Sequence, residues 1–167
     1  AIVKATQKDF RQAAVRAARD CRVFFFCGPD EAGAAAAATT IAGLLPDAGD
    51  RLELSGGELR GDPARLGDEA RSGSLFGDAR HIYVRAAGDE AHDAVSALLA
   101  TFDAGEGTGA CPVLIVASSA TDKSRTAKLL EKRADSLVAM FYQPDLRDVT
   151  AEVGRMAGAA GLKTNAG

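Results

Sequence analysis

Apolar positions along the chain switch repeatedly between a helical period and short unbroken runs. From Asp9 to Arg19, Phe10, Ala14, Val15 and Ala18 fall on one face, which predicts an amphipathic helix. Val23-Phe24-Phe25-Phe26-Cys27 is continuously apolar, as a strand buried on both faces of a parallel sheet requires. Gly28-Pro29 breaks that run, Asp30 caps a helix predicted through Leu45, and Pro46 ends it. Arg51 to Leu54 alternates as a second strand, and Asp62-Pro63 reads as N-cap and first turn of a short helix reaching about Ser72. His81 to Arg85 is a third strand, Asp89 to Phe102 a helix, and Asp103 to Ala110 a glycine-rich loop. Pro112 to Ala117 predicts a fourth strand, Asp122 to Arg133 a charged helix, and Leu137 to Tyr142 a fifth strand. Past Pro144, Asp145 to Ala159 reads as a last helix and Gly161 to Gly167 as a polar tail.

Each strand-to-strand step is long enough for a helical crossover. The expected fold is therefore α/β: a five-stranded parallel sheet between two helical layers, connected right-handedly. Composition agrees with a packed domain, since 47% hydrophobic and 26% charged residues exclude wholesale disorder. Aromatics are only 5% and Trp is absent, so aliphatic side chains and seven Phe must carry the burial. The many alanines raise the hydrophobic fraction without adding bulk to a core. A net charge of −3 argues against binding nucleic acid over the whole surface, while leaving room for a local basic patch. Cys21, Cys27 and Cys111 are odd in number and form no CxxC, a pattern expected of a reduced, cytoplasmic protein. No apolar run approaches the length of a bilayer span, so no membrane partner is expected.

In an open parallel sheet, ligands bind at the carboxyl ends of the strands. The first predicted strand there runs into Gly28-Pro29-Asp30-Glu31-Ala32-Gly33-Ala34-Ala35. Gly28 and Gly33 match the glycine spacing of a phosphate loop, but Ala34 and Ala35 stand where its Lys and Ser/Thr belong. Without that Lys on the phosphates and that hydroxyl on Mg²⁺, the loop cannot support triphosphate hydrolysis. Asp30 and Glu31 add carboxylates where phosphates would lie. The third strand, Ile82-Tyr83-Val84-Arg85-Ala86, ends without a metal-binding acid, and Asp89-Glu90 comes later at the start of a helix. Gly28 and Gly33 are either a plain strand-to-helix turn or a vestigial, non-functional phosphate loop; neither hydrolyses ATP. Ser118 and Ser119, after the fourth strand, are expected to cap backbone. His81 and His92 have no second ligand at metal spacing, so no metal site and no cofactor are expected.

Leu75-Phe76, flanked by glycine and small polar residues in Ser72 to Arg80, is a large apolar pair between helix and strand. Such a pair either tucks into the core or serves as aromatic and aliphatic anchors in a partner's pocket.

Taken together, Phe24 to Asp30, Ser74-Leu75-Phe76-Gly77, Pro112 to Ala117 and the Lys-Leu-Leu-Glu-Lys-Arg run at 128–133 resemble the delta subunits of the bacterial DNA polymerase III clamp loader. The resemblance implies an AAA+-type, RecA-like domain over 1–143 with a degenerate phosphate loop, and the start of a truncated helical lid over 144–167. It implies a non-catalytic subunit of a DNA-directed DNA polymerase holoenzyme. Ser74, Leu75, Phe76 and Gly77 would bind the sliding clamp (the beta subunit) and help open it for loading on primed DNA. Further partners would be the gamma/tau and delta prime subunits, met through regions largely missing here, so the chain is expected to be an N-terminal portion. Within the basic run Lys123, Arg125, Lys128, Lys132 and Arg133, the residues Lys123, Arg125 and Lys128 are candidate DNA-backbone contacts; the plainer reading is a solvated charged face. Arg125, placed at a helix start, would favour an external anion. The alternatives are a degenerate phosphate-loop regulatory domain that binds nucleotide or phosphate, and a flavodoxin-like or response-regulator-like module.

Overall fold

The computed structural model describes residues 2–5, 7–76 and 79–142, and the side chains of 10–72 and 79–142. Twelve elements follow in order: β1 (Ile2–Ala5), α1 (Gln7–Asp20), β2 (Val23–Cys27), α2 (Glu31–Leu44), β3 (Asp50–Ser55), α3 (Gly56–Gly61), α4 (Ala64–Phe76), β4 (Arg80–Ala86), α5 (His92–Asp103), β5 (Val113–Ala117), α6 (Arg125–Glu131) and β6 (Ser136–Phe141). The strands form one six-stranded sheet in the order β1-β6-β2-β5-β4-β3, every pair parallel. This is a three-layer RecA-like α/β fold. All five strands expected from the sequence are present, and β1 adds a further one at the edge, in register with β6 from Ile2 opposite Val138 to Ala5 opposite Phe141.

Strand alternation divides the core between the two faces. Val23, Phe25, Cys27, Ile82, Val84 and Ile115 point to the layer holding α3 to α6, where they meet Leu59, Leu66, Leu98 and Leu130. Phe24, Phe26, Leu114 and Phe141 point to α1 and α2. Phe10 of α1 meets Phe26 and Phe141 edge-on, with ring centroids 6.0 and 5.4 Å away. Opposite these rings, α2 presents Ala34, Ala37 and Ala38, all fully buried. Small residues let the helix approach a phenylalanine-rich sheet closely, so the alanines are a fitted half of this core.

Right-handed crossovers place α1 and α2 on one face and α3 to α6 on the other. Two helices side by side cover about 20 Å, whereas six strands at about 4.8 Å spacing need more. Accordingly α1 and α2 pack over β1, β6, β2 and β5. On the same face of β3 and β4, Tyr83 is roofed instead by the Arg51 guanidinium, 4.3 Å from its ring centroid.

Several boundaries differ from the pattern-based expectation. The short helix α3 is held by a capping box in which Ser55 and Glu58 satisfy each other's backbone N–H. Asp62 closes α3, and α4 then runs past Ser72 to Phe76. Helix α6 starts only at Arg125, because Ser124 is its N-cap; Asp122 and Lys123 lie in the preceding turn. The helix expected over Asp145 to Ala159, and with it the lid over 144–167, lies outside the described residues.

Candidate functional site

The β2–α2 junction, at the carboxyl edge of the sheet, consists of Gly28, Pro29 and Asp30 alone. Gly28 sits at φ +107°, and a Cβ there would lie 2.2 Å from the Phe141 carbonyl oxygen, so both conformation and space demand glycine. Its N–H donates to the Ala120 carbonyl at 2.9 Å, and the Asp30 N–H donates to Phe141 at 3.2 Å. Helix α2 has begun by Glu31, so the residues that would wrap a phosphate are its first turn. Asp30 Oδ1 accepts from the Gly33 N–H at 3.0 Å. A carboxylate of the chain itself therefore occupies the helix N-terminus, where a phosphate would bind. Gly33 is needed for this cap: a Cβ would come 2.2 Å from Asp30 Oδ2. Ala34, at the lysine position, is fully buried against the sheet, and Ala35 is half-buried at the edge of a cleft.

That cleft, ≈ 440 Å³, is bordered by Glu31, Ala35, Tyr83, Arg85 and Ser118. Arg85 reaches over Tyr83 at 5.9 Å from the ring centroid and shares the Glu53 carboxylate with Arg51, each at 3.5 Å. The Ser118 and Ser119 N–H groups donate to Ala86 and Ala87. Both acids after β4 are engaged by backbone. Asp89 Oδ1 accepts from the Thr126 N–H and hydroxyl at 3.0 and 2.7 Å, and Oδ2 from the Arg125 N–H at 3.3 Å. Burial pushes its pKa up, but these hydrogen bonds outweigh it and hold the carboxyl below its usual value. The Ala87 N–H lowers Glu90 against a smaller opposing effect of burial, helped by the Gly88 N–H. Asp89 thus closes the start of α6, and Glu90 fixes the turn after β4. Among the described residues no three His, Cys, Asp or Glu side chains gather into a metal site. Cys27 is sealed in the sheet; burial pushes its thiol up to about 12, and it donates to the Ala139 carbonyl.

The Ser74-Leu75-Phe76 stretch is the last turn of α4, not a loop. The side chains of these residues, and Gly77 as a whole, lie outside the described residues. The turn below them is tied down. Cys111 N–H donates to the Ala70 carbonyl at 2.9 Å, and Arg71 pairs with Asp68 at 2.9 Å and Glu106 at 3.6 Å. From β4, Arg80 Nη2 donates to the Glu69 carbonyl, to Glu69 Oε2 at 3.1 Å and to Ser72 Oγ at 2.7 Å. Sequence reading missed Arg80, because nothing local marks a contact that spans a helix end and a strand start.

Lys123, Arg125 and Lys128 are all exposed. Arg125, Lys128 and Lys132 follow helical spacing on one face, opposite the buried Thr126, Ala127 and Leu130. At the start of α6 the Arg125 backbone N–H donates to Asp89, so an acid of the chain itself lies at this helix end, while the Arg125 side chain is exposed. Arg133 leaves this set: its guanidinium binds Asp103 at 3.0 Å and Asp135 at 2.9 Å. Among the described residues no helix is long and apolar enough to cross a membrane. No protein-family model matches the chain, and no curated protein matches it.

Proposed function

We propose that this chain is the clamp-binding part of a delta-type subunit of a bacterial DNA polymerase III clamp loader. What carries the reading is the β2–α2 junction of a RecA-like fold, whose phosphate position is filled by Asp30 and backed by the buried Ala34. A domain of this architecture that keeps its carboxyl-edge geometry while closing its anion site suits a subunit that works by binding. Ser74, Leu75, Phe76 and Gly77 are its clamp contact, at and just beyond the end of α4, with Leu75 and Phe76 the apolar anchors. Opening of the ring follows from tighter binding to the open than to the closed clamp, since equal affinity would shift nothing. The protein acts in the cytoplasm without a cofactor, beside gamma/tau and delta prime subunits. Primed DNA is met indirectly, with Lys123, Arg125 and Lys128 available to phosphates.

The test is clamp binding by the Leu75→Ala/Phe76→Ala variant. Binding should be lost while the melting temperature stays nearly unchanged. Retained binding refutes the contact, and an unfolded variant assigns the pair to the core.

A further inference from the structure

We infer that two copies of this chain join along the outer edge of β3, antiparallel and related by a twofold axis at Leu52. The inference stands apart from the clamp reading and uses other residues. Strand β3 ends the sheet, and among the described residues no strand lies beyond it. Its pairing with β4 decides which backbone groups are left over. The Asp50 N–H donates to the Ala79 carbonyl at 3.2 Å, and Asp50, Leu52 and Leu54 are in register with Arg80, Ile82 and Val84. Backbone direction alternates along a strand, so Asp50, Leu52 and Leu54 turn their N–H and C=O groups to β4, while Arg51, Glu53 and Ser55 turn theirs outward. The Ser55 N–H is taken by Glu58 Oε2 at 3.0 Å in the capping box of α3. Arg51 and Glu53 therefore present two donors and two acceptors, placed symmetrically about Leu52.

Edge strands are commonly guarded by charge, and charge of one sign keeps two such edges apart. Here the signs differ. Antiparallel pairing centred on Leu52 sets Arg51 opposite Glu53 of the second copy, and Glu53 opposite its Arg51. Both are hydrogen-bonded positions, so the outward N–H and C=O groups of Arg51 and Glu53 are satisfied where the opposite charges meet. The two side chains are 38% and 47% exposed and lie on the face where Arg51 covers Tyr83, away from α1 and α2, which pack over β1, β6, β2 and β5. Arg85 of β4 shares Glu53 and adds a positive charge behind each edge, which keeps the association weak. On the other face Leu52 is half-buried against the core that holds Leu54 and Leu59. At the axis the two Leu52 side chains meet in a non-hydrogen-bonded pair, where cross-strand side chains come closest, and each covers what the other leaves exposed. An unrelated strand could satisfy the backbone, but a second copy also matches the order of charges.

The experiment is sedimentation equilibrium of the full chain and two charge variants. The unmodified chain should show a monomer–dimer equilibrium with a dissociation constant on the order of 10–100 μM, as suits a small interface. Arg51→Glu makes both edge positions acidic, and Glu53→Arg makes both basic. Each variant alone should self-associate at least about tenfold more weakly, whereas a 1:1 mixture of the two should form a heterodimer within about threefold of the unmodified affinity. Amide hydrogen exchange of the unmodified chain gives an independent readout. Raising its concentration from about 10 μM to about 1 mM should slow the N–H groups of Arg51 and Glu53 and leave those of Leu52 and Leu54, already bonded to β4, unchanged. A chain that stays monomeric at about 1 mM overturns the inference. So do single variants that associate as the unmodified chain does, which would place the interface elsewhere, and a mixture that stays monomeric. If either variant does not fold, exchange decides: Arg51 and Glu53 amides that are insensitive to concentration overturn the inference.

Discussion

Replacing Gly33 by alanine should be nearly neutral while Asp30 is present and stabilising once it is removed. The carboxylate of Asp30 accepts from the Gly33 N–H at 3.0 Å, and losing such an N-cap costs about 1 kcal/mol. In the intact chain a Cβ at position 33 would lie 2.2 Å from Asp30 Oδ2 and 2.8 Å from its Cγ. The side chain must swing away and the cap is lost. Against that, alanine stabilises a helix over glycine by up to about 1 kcal/mol. The two effects nearly cancel, so Gly33→Ala alone should move stability by less than about 0.5 kcal/mol. The three atoms nearest the new Cβ all belong to the Asp30 side chain, and Asp30→Ala removes them. In that background Gly33→Ala should stabilise by up to about 1 kcal/mol. Urea unfolding of the four proteins, followed by circular dichroism, yields the coupling energy directly, provided the slope m stays constant. Equal destabilisation by Gly33→Ala in both backgrounds would refute the assignment of Asp30 as the group that fills the helix N-terminus.

Two further expectations test the closed anion site and the charge clusters. Ala34→Lys, which writes back the phosphate-loop lysine, should destabilise by about 1–3 kcal/mol, because Ala34 is fully buried against the phenylalanine face. ATP with Mg²⁺ should raise the melting temperature of neither this variant nor the unmodified chain; a shift of several degrees would reopen the site. Stability should fall as pH drops through the acid range, because the hydrogen-bonded Arg133 guanidinium holds Asp135 below its usual pKa. The unfolded chain takes up this proton first, so the contribution is present above an ordinary aspartate pKa of about 3.9 and lost below it. Asp135→Asn should flatten that limb of a urea-midpoint profile against pH, and an unchanged limb would remove the pair from the explanation.

Local pattern alone was enough for most of the scaffold. Val23–Cys27 and Val113–Ala117 declare themselves as buried strands because every residue is apolar, a property that needs no knowledge of the neighbours. The missing lysine and hydroxyl at Ala34 and Ala35 are equally plain, since the phosphate loop is defined by residues close in sequence. Capping by Asp30 could be foreseen for the same reason, its partner lying three residues away. Where interactions join distant segments, local pattern was silent or pointed elsewhere. Ile2–Ala5 becomes a strand through its pairing with β6, more than a hundred residues on. Asp89 reads as a helix-starting acid for the residues after it, yet it caps α6, at 36 and 37 residues' separation. Arg80 looks like an ordinary polar strand residue until β4 and α4 are brought together at the sheet edge. The division has one physical cause: apolar periodicity and short-range caps are set within a turn or two of chain. Which carboxylate meets which helix end, and which strand face goes uncovered, depends on crossovers that bring remote residues together.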